Sequence, residues 1–254
     1  PAPDSMLKPK KDQSIRVNID LLDKLMVLAG ELVLTRNELV RSADSQDDNL
    51  IQASVQSVSM ITSELQEAIM STRMQTLGNV FNKFKRIVRD ISSSLDKSVN
   101  LTISGEEVDM DKTIIEAIGD PLTHLIRNSL DHGIEKPATR IEKGKQEQGN
   151  LQLKAFHAAG QVVIEIIDDG AGINYQKIKE KALVSGLMSH EELENLSDKE
   201  VGQLIFRPGF STAEEVTDIS GRGVGMDVVQ RNLSKVGGVI DMDSTPDQGT
   251  KISI

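Results

Sequence analysis

The sequence predicts an α + α/β protein, in which an antiparallel helical hairpin precedes a mixed α/β sandwich. Three observations carry this: apolar residues step at helical spacing through roughly the first hundred positions, short β-like runs alternate with helical ones past residue 98, and glycine-rich turns gather in the second half. The length of 254 residues suits two modest domains, each with its own core.

Composition narrows the class. With no Trp, one Tyr and five Phe, the cores must be built from Leu, Ile, Val and Met. Zero Cys excludes disulfides, iron–sulfur clusters and thiolate zinc sites and fits a reducing compartment, so a cytoplasmic location is expected. No apolar run approaches the roughly 18 residues of a membrane-spanning helix, and the N-terminal stretch lacks a hydrophobic signal region, so no membrane insertion is expected. A net charge of −10 argues against nucleic acid as a partner, because a polyanion calls for a clustered basic face.

Residues 1–13, with Pro1, Pro3 and Pro9 and then a lysine pair, read as a linker cut from something longer. From about Val17 the residues Leu21, Leu25, Leu28, Leu32, Thr35 and Leu39 form one helical stripe, with Leu22, Met26, Ala29 and Val33 beside it. The polar stretch at 41–49 is a turn, after which Ile51, Val55, Val58, Thr62, Leu65, Ile69 and Thr72 resume the spacing. The same spacing continues through Leu77, Phe81, Phe84, Val88, Ile91 and Leu95, so the second helix is expected to run on, with Gly78 as a kink. Residues 14–98 are thus expected to form one hairpin domain. Two helices cannot bury such wide stripes on each other alone, so a second copy completing a four-helix bundle, a homodimer, is predicted, the plain alternative being that the stripes pack on the following domain.

Residues 99–254 form the predicted sandwich. Strands are expected at about 99–104, 150–157, 161–167, 238–243 and 250–254, the last leaving a truncated or bare sheet edge, and a helix is expected from about Lys112 to His132.

Three elements in this half carry chemistry. In HLIRNSLDHGIE, the residues His124, Asn128 and Asp131 share a helix face and His132 follows, opposite the apolar Leu122, Leu125, Ile126 and Leu130. A solvated helix face is the plain alternative. A carboxamide oxygen is a hard ligand suited to Mg²⁺, which takes one or two protein groups plus substrate phosphates. In VVIEIIDDGAGI, the residues Asp168, Gly170 and Gly172 form D-x-G-x-G: the glycines let the backbone approach a flat ligand, and the carboxylate can accept from an exocyclic amine. Alone, that pattern is also a common turn. In ISGRGVGMDVVQRNL, the residues Gly221, Gly223 and Gly225 form G-x-G-x-G before a helix, where exposed amides and the helix dipole suit phosphates. The dinucleotide fingerprint needs G-x-G-x-x-G after a first strand, and the P-loop needs G-x-x-x-x-G-K-[ST]; neither occurs. The polar segment FRPGFSTAEEVTDIS between the last two motifs reads as a lid that could fold over a nucleotide, and on composition equally as an ordinary surface loop.

Order and spacing of these motifs, ending with Gly249-Thr250 in a late strand, resemble the GHKL superfamily of ATP-binding domains shared by histidine kinases, the Hsp90 chaperone, DNA gyrase and the MutL repair ATPase. Within it, the motifs and the hairpin SIRVNIDLLDKLMVLAGELV resemble the chemotaxis histidine kinases of the CheA type, from about residue 14 to 254. The resemblance implies a GHKL (Bergerat) sandwich that binds ATP and Mg²⁺ and transfers the γ-phosphoryl group to a histidine on a separate domain, in trans in the dimer. By the same resemblance Asn128 holds Mg²⁺, Asp168 binds the adenine amine, Gly170 and Gly172 let the base lie on the backbone, and Thr250 supports the adenine side. Gly221, Gly223 and Gly225 wrap the phosphates, Asp131 and the lid residues Ser211 and Thr212 join the nucleotide contacts, and His124 and His132, the catalytic candidates, lie near the triphosphate. Hydrolytic members carry Glu where His124 stands, so His124 is expected to position the γ-phosphoryl group without activating water.

By the resemblance, the family's phospho-accepting domain and coupling domain are both expected to lie outside these residues, and none of the four histidines is expected to replace the acceptor, His157 lying in a strand and His190 in a polar run. Chemoreceptors, the coupling protein CheW and, indirectly, response regulators are the partners implied for a full-length protein. Two other readings use the same motifs: a GHKL ATPase acting as a conformational clamp without phosphotransfer, and a scaffold with a vestigial nucleotide fold.

Overall fold

A computed structural model describes residues 19–45, 47–208, 210 and 225–254. The chain divides into two compact units between Met74 and Gln75.

The first unit is a pair of helices, α1 (Ile19–Ser45) and α2 (Asp48–Ser71). Asp47 starts α2 by accepting the amides of Asn49 at 3.0 Å and Leu50 at 3.3 Å, which would otherwise lack partners in the first turn. The helices meet along a narrow seam in which Leu28, Ile61 and Ala68 are buried and Leu21, Leu25, Leu32 and Leu65 pack against them. Thr35 and Ser42 fall on this seam and bond back to the Glu31 and Glu38 carbonyls, so their burial leaves no hydroxyl unsatisfied. Beside the seam, Leu22, Met26, Val33, Val55 and Ile69 stay about half exposed or more. Among the described residues no helix is long and apolar enough to cross a membrane.

The second helix does not run on to residue 98. It ends at Ser71, and Gly78 opens a separate helix, α3 (Gly78–Ser94), that belongs to the second unit. The amides of Leu77 and Gly78 are taken by the carbonyls of Val108 and Glu106, both at 2.9 Å, which breaks the helical ladder. The apolar spacing persists across the break because α3 is amphipathic in its own right: Phe81, Phe84 and Val88 bury into the sandwich core.

That core lies on one face of a five-stranded sheet of order β2-β4-β5-β7-β6, built from β2 (Val99–Ser104), β4 (Gly149–Ala158), β5 (Gln161–Asp168), β6 (Asp241–Thr245) and β7 (Gly249–Ser253). Within this sheet of the described residues, β2 and β4 pair in parallel and the other three pairs are antiparallel. Two short strands, β1 (Met74–Thr76) and β3 (Asp109–Asp111), pair with each other. The sheet's inward positions alternate as strand geometry requires, with Leu151, Leu153 and Ala155 on β4 and Ile164 and Ile166 on β5. They pack against α3, α4 (Lys112–Asn128) and α9 (Met226–Ser234).

Two strand expectations change. The fourth strand begins at Asp241 rather than 238, since Val239 is exposed and only Ile240 turns into the core. The last strand is no bare edge: β7 sits between β5 and β6.

A short α5 (Pro137–Glu142) follows α4, and between β5 and α9 lie α6 (Tyr175–Val184), α7 (His190–Glu194) and α8 (Asp198–Gln203). These last three wrap a small second core of Ile178, Ala182, Leu193, Val201, Leu204 and Phe210.

Candidate functional site

The first motif stands at the C-terminal end of α4, where Leu122, Leu125 and Ile126 anchor one face in the core and leave His124 and Asn128, one turn apart, half-buried on the other. Burial is the main cause that holds the His124 imidazole below the ordinary histidine value, with the Arg127 and His132 side chains adding to it. The Asn128 side-chain amide donates to the sulfur of Met226 at 3.0 Å. This brings Asn128 to the first turn of α9, directly after Gly225.

Contrary to the expected single helix to His132, α4 stops at Asn128 and Ser129–Gly133 wind into a π-turn. The wider turn rotates the next residues off the α-helical face, leaving Asp131 and His132 exposed. Lys97 Nζ donates to the Leu130 and Asp131 carbonyls, both at 2.7 Å, securing main-chain groups that the helix no longer pairs. His132 Nε2 lies 3.9 Å from the Asp131 carboxylate.

Asp168 is the next inward position on β5 after Ile164 and Ile166, so strand period alone buries its carboxyl, which is 5% exposed. Burial pushes its pKa above the ordinary aspartate value; hydrogen bonds from the Gly170 amide, Ser129 and the main chain of Thr250 oppose this, and the neighbouring Asp169 charge reinforces it. The Gly170 amide reaches Asp168 Oδ1 at 3.1 Å. Thr250 is the cross-strand partner of Asp168.

The two motifs are in contact. A Cβ on Gly170 would stand 2.2 Å from the Gly133 carbonyl oxygen, so only glycine fits there, and the same carbonyl accepts the Ala171 amide at 2.8 Å. Gly172 adopts φ +67, and a Cβ on it would meet the Thr245 carbonyl at 2.4 Å. Ser244 closes this side: its hydroxyl accepts the Ile173 amide at 2.9 Å and lies 3.1 Å from the Thr250 hydroxyl.

Sequence reasoning missed a layer beneath the site. Arg140, 1% exposed, donates to Glu135 at 3.3 Å, to the Asp169 carboxylate at 3.0 Å and to the Gln146 carbonyl at 2.8 Å. Asp169 also accepts the Asn150 amide and carboxamide, each at 2.9 Å, and although burial works to raise its carboxyl, these bonds and Arg140 hold it below the usual range. Lys145 joins Glu135 to the turn itself. In the sequence these are scattered charges among Lys136, Glu142 and Lys143, with no pattern to separate them from a solvated face.

Thus His124, Asn128 and Gly225 come together at one end, and Asp168, Gly170, Gly172 and Thr250 at the other, joined through Gly133. Asp131 and His132 sit exposed beside them. Ser211, Thr212, Gly221, Gly223 and most of the expected lid lie outside the described residues. No group of three or more His, Cys, Asp or Glu able to hold a metal occurs among the described residues.

The family model for histidine kinase-, DNA gyrase B-, and HSP90-like ATPases matches residues 117–254, and that for the homodimeric domain of signal transducing histidine kinases matches residues 12–72. The chemotaxis protein CheA of Bacillus subtilis is 48% identical over 242 residues, which cover 95% of this chain and 36% of that protein. The sensor histidine kinase CheAY of Helicobacter pylori is 48% identical over 247 residues, covering 94% and 31%, and the CheA of Halobacterium salinarum is 42% identical over 242 residues, covering 95% and 36%. The chain spans about a third of the length of these relatives.

Proposed function

Because the chain belongs to the histidine kinase-, DNA gyrase B- and HSP90-like ATPase family, we propose that it is the dimerisation and ATP-binding core of a chemotaxis histidine kinase, which uses Mg-ATP to phosphorylate a histidine on a separate domain. The observation that carries this reading is the contact of Gly133 with Gly170, which unites a carboxamide-bearing helix end with a buried carboxylate and a bare glycine turn.

Each group has a role in that reading. The Asp168 carboxylate, buried beside Thr250, accepts from the exocyclic amine of adenine while the base lies along Gly170 and Gly172. Gly225 and the first turn of α9 receive the phosphates, where main-chain amides and the helix dipole favour negative charge. The donor set fits Mg²⁺ together with a nucleotide: among the described residues there is no carboxylate cage, and the Asn128 oxygen is the hard ligand at this end, which suits an ion that keeps waters and phosphate oxygens. Bound there, the ion would neutralise charge on the β- and γ-phosphates. His124, one turn from Asn128 and biased towards its neutral form, orients the terminal phosphoryl group without serving as a strong base for water.

The hairpin supports a homodimer. Its seam buries little, and the exposed row of Leu22, Met26, Val33, Val55 and Ile69 is the apolar surface a second hairpin would cover in a four-helix bundle; the match to a homodimeric domain points the same way. The phospho-accepting histidine domain, CheW, chemoreceptors and, indirectly, response regulators are then partners of the whole protein, with the cytoplasm as its location.

The test incubates the chain with Mg-ATP and a separately supplied histidine-bearing domain and looks for acid-labile phosphohistidine. Tight ATP binding with slow hydrolysis and no transfer would favour the conformational clamp instead.

A further inference from the structure

Lys145 has three ammonium hydrogens and three acceptors: Glu135 Oε1 at 3.0 Å, the Asp169 carbonyl at 3.1 Å and the Gly170 carbonyl at 2.7 Å. The side chain is 15% exposed and Glu135 only 9%, so these are charge-assisted bonds in a site largely closed to water. Burial works to raise the Glu135 carboxyl, yet hydrogen bonds from Lys145, its own backbone and Lys143, with the Lys145 charge, hold it below the ordinary glutamate value. Glu135 therefore stays ionised and keeps the ammonium in place.

The acceptors matter more than the number of bonds. Gly170 gives its amide to Asp168 Oδ1 and its carbonyl to Lys145, while the Gly133 carbonyl fills the space a Cβ on it would need. Held on three sides, Gly170 has one orientation, and the Asp168 carboxylate is aimed by the amide of that residue. Arg140 differs. It is fully enclosed and ties α5 to Asp169 and Gln146, so its loss would break the fold's interior. With Lys145 removed, Arg140 still neutralises both Glu135 and Asp169.

We infer that Lys145 is a positioning residue for base recognition: anchored by Glu135, its ammonium clamps the Asp169 and Gly170 carbonyls and so fixes the main chain that presents Asp168 and supports the base. This deepens the reading of a nucleotide site on the Asp168–Gly172 turn and rests on it. Among the described residues the Lys145 ammonium bonds to Glu135, Asp169 and Gly170, and neither to Asn128 nor to the first turn of α9. Its loss should weaken nucleotide affinity and selectivity for adenine while leaving turnover at saturation intact.

The test measures equilibrium binding of Mg-ATP and Mg-GTP, with kcat and KM for phosphotransfer to a separately supplied histidine-bearing domain, in the wild-type chain and in Lys145→Met, Lys145→Arg and Asp168→Asn. Lys145→Met is expected to bind ATP about tenfold more weakly, to lose most of its preference for ATP over GTP, and to keep kcat within about twofold. Lys145→Arg keeps the charge beside Glu135, so it folds, and it is expected to restore part of the affinity but not full selectivity, since a planar fork cannot reproduce the tripod. Unchanged ATP affinity and selectivity in both lysine variants, or a parallel loss of ATP and GTP binding that tracks only the folded fraction, would overturn the inference. If Lys145→Met does not fold, unaltered selectivity in Lys145→Arg overturns it by itself. Asp168→Asn separates the two claims: if it too binds ATP normally, the nucleotide reading fails, whereas loss of binding there with wild-type binding in the lysine variants removes only the clamp.

Discussion

Asn128, the last residue of α4, donates its side-chain amide to the sulfur of Met226, the first residue of α9, at 3.0 Å. The bond draws the metal candidate and the helix end proposed to receive phosphates to one place. Replacing Asn128 with Ala should abolish the Mg²⁺ dependence of ATP binding and lower phosphotransfer by at least about a hundredfold. Met226→Leu, which keeps the bulk, should retain that dependence. Nucleotide titrations with and without Mg²⁺ decide it.

Asp168 is a group held at a cost to the fold. Its folded pKa lies above its unfolded one, so the folded chain binds the proton more readily, and the penalty grows as pH rises from the unfolded value through the folded one. At neutral pH Asp168→Asn should therefore be within about 1 kcal/mol of wild type in denaturant unfolding, yet bind ATP at least about tenfold more weakly. A large stability loss with unchanged affinity would mark the carboxylate as a structural group.

His124 should titrate below 6.5, chiefly because it is buried. The unfolded chain then binds the proton more readily, so this residue costs nothing well above 6.5 and an increasing amount as pH falls through 6.5 towards the folded value. Imidazole NMR shifts report the midpoint directly, and Arg127→Gln should move it upward.

Exchanging His124 for Glu places a base where hydrolytic relatives carry one. The ratio of ATP hydrolysis to phosphotransfer should rise by about tenfold or more. An unaltered ratio would remove His124 from the choice between water and acceptor.

For the hairpin, Met26 is 74% exposed and lies in the uncovered apolar row. Met26→Asp should leave helical circular dichroism intact while raising the dimer dissociation constant by about thirtyfold, or roughly 2 kcal/mol. Sedimentation equilibrium gives the number.

Much of this architecture was legible from residue order. The Leu21–Leu39 stripe became α1 and strand alternation pointed Asp168 inward, while Gly170, read as a place for a flat ligand, is required to be glycine by the Gly133 carbonyl packed on it. What spacing could not tell was which surface each stripe met: Leu77, Phe81, Phe84 and Val88 keep the phase of α2 yet bury against the sheet, because a helical period records a face and not its partner. Likewise the π-turn at Ser129–Gly133 left no mark in the pattern, and the groups that bond to it, Lys97 and Asp168, come from distant parts of the chain. Arg140 and Lys145 read as surface charges until the fold enclosed them.

The strand order makes one short segment indispensable to the sheet. Among the described residues β6 pairs only with β7, and β7 alone joins it to β5. Withdrawing residues 249–253 would leave β2, β4 and β5 by themselves, detach β6 with Ser244, and take from Asp168 the Thr250 main chain that steadies its carboxylate. The far edge of the sheet and the aim of that carboxylate thus stand or fall together.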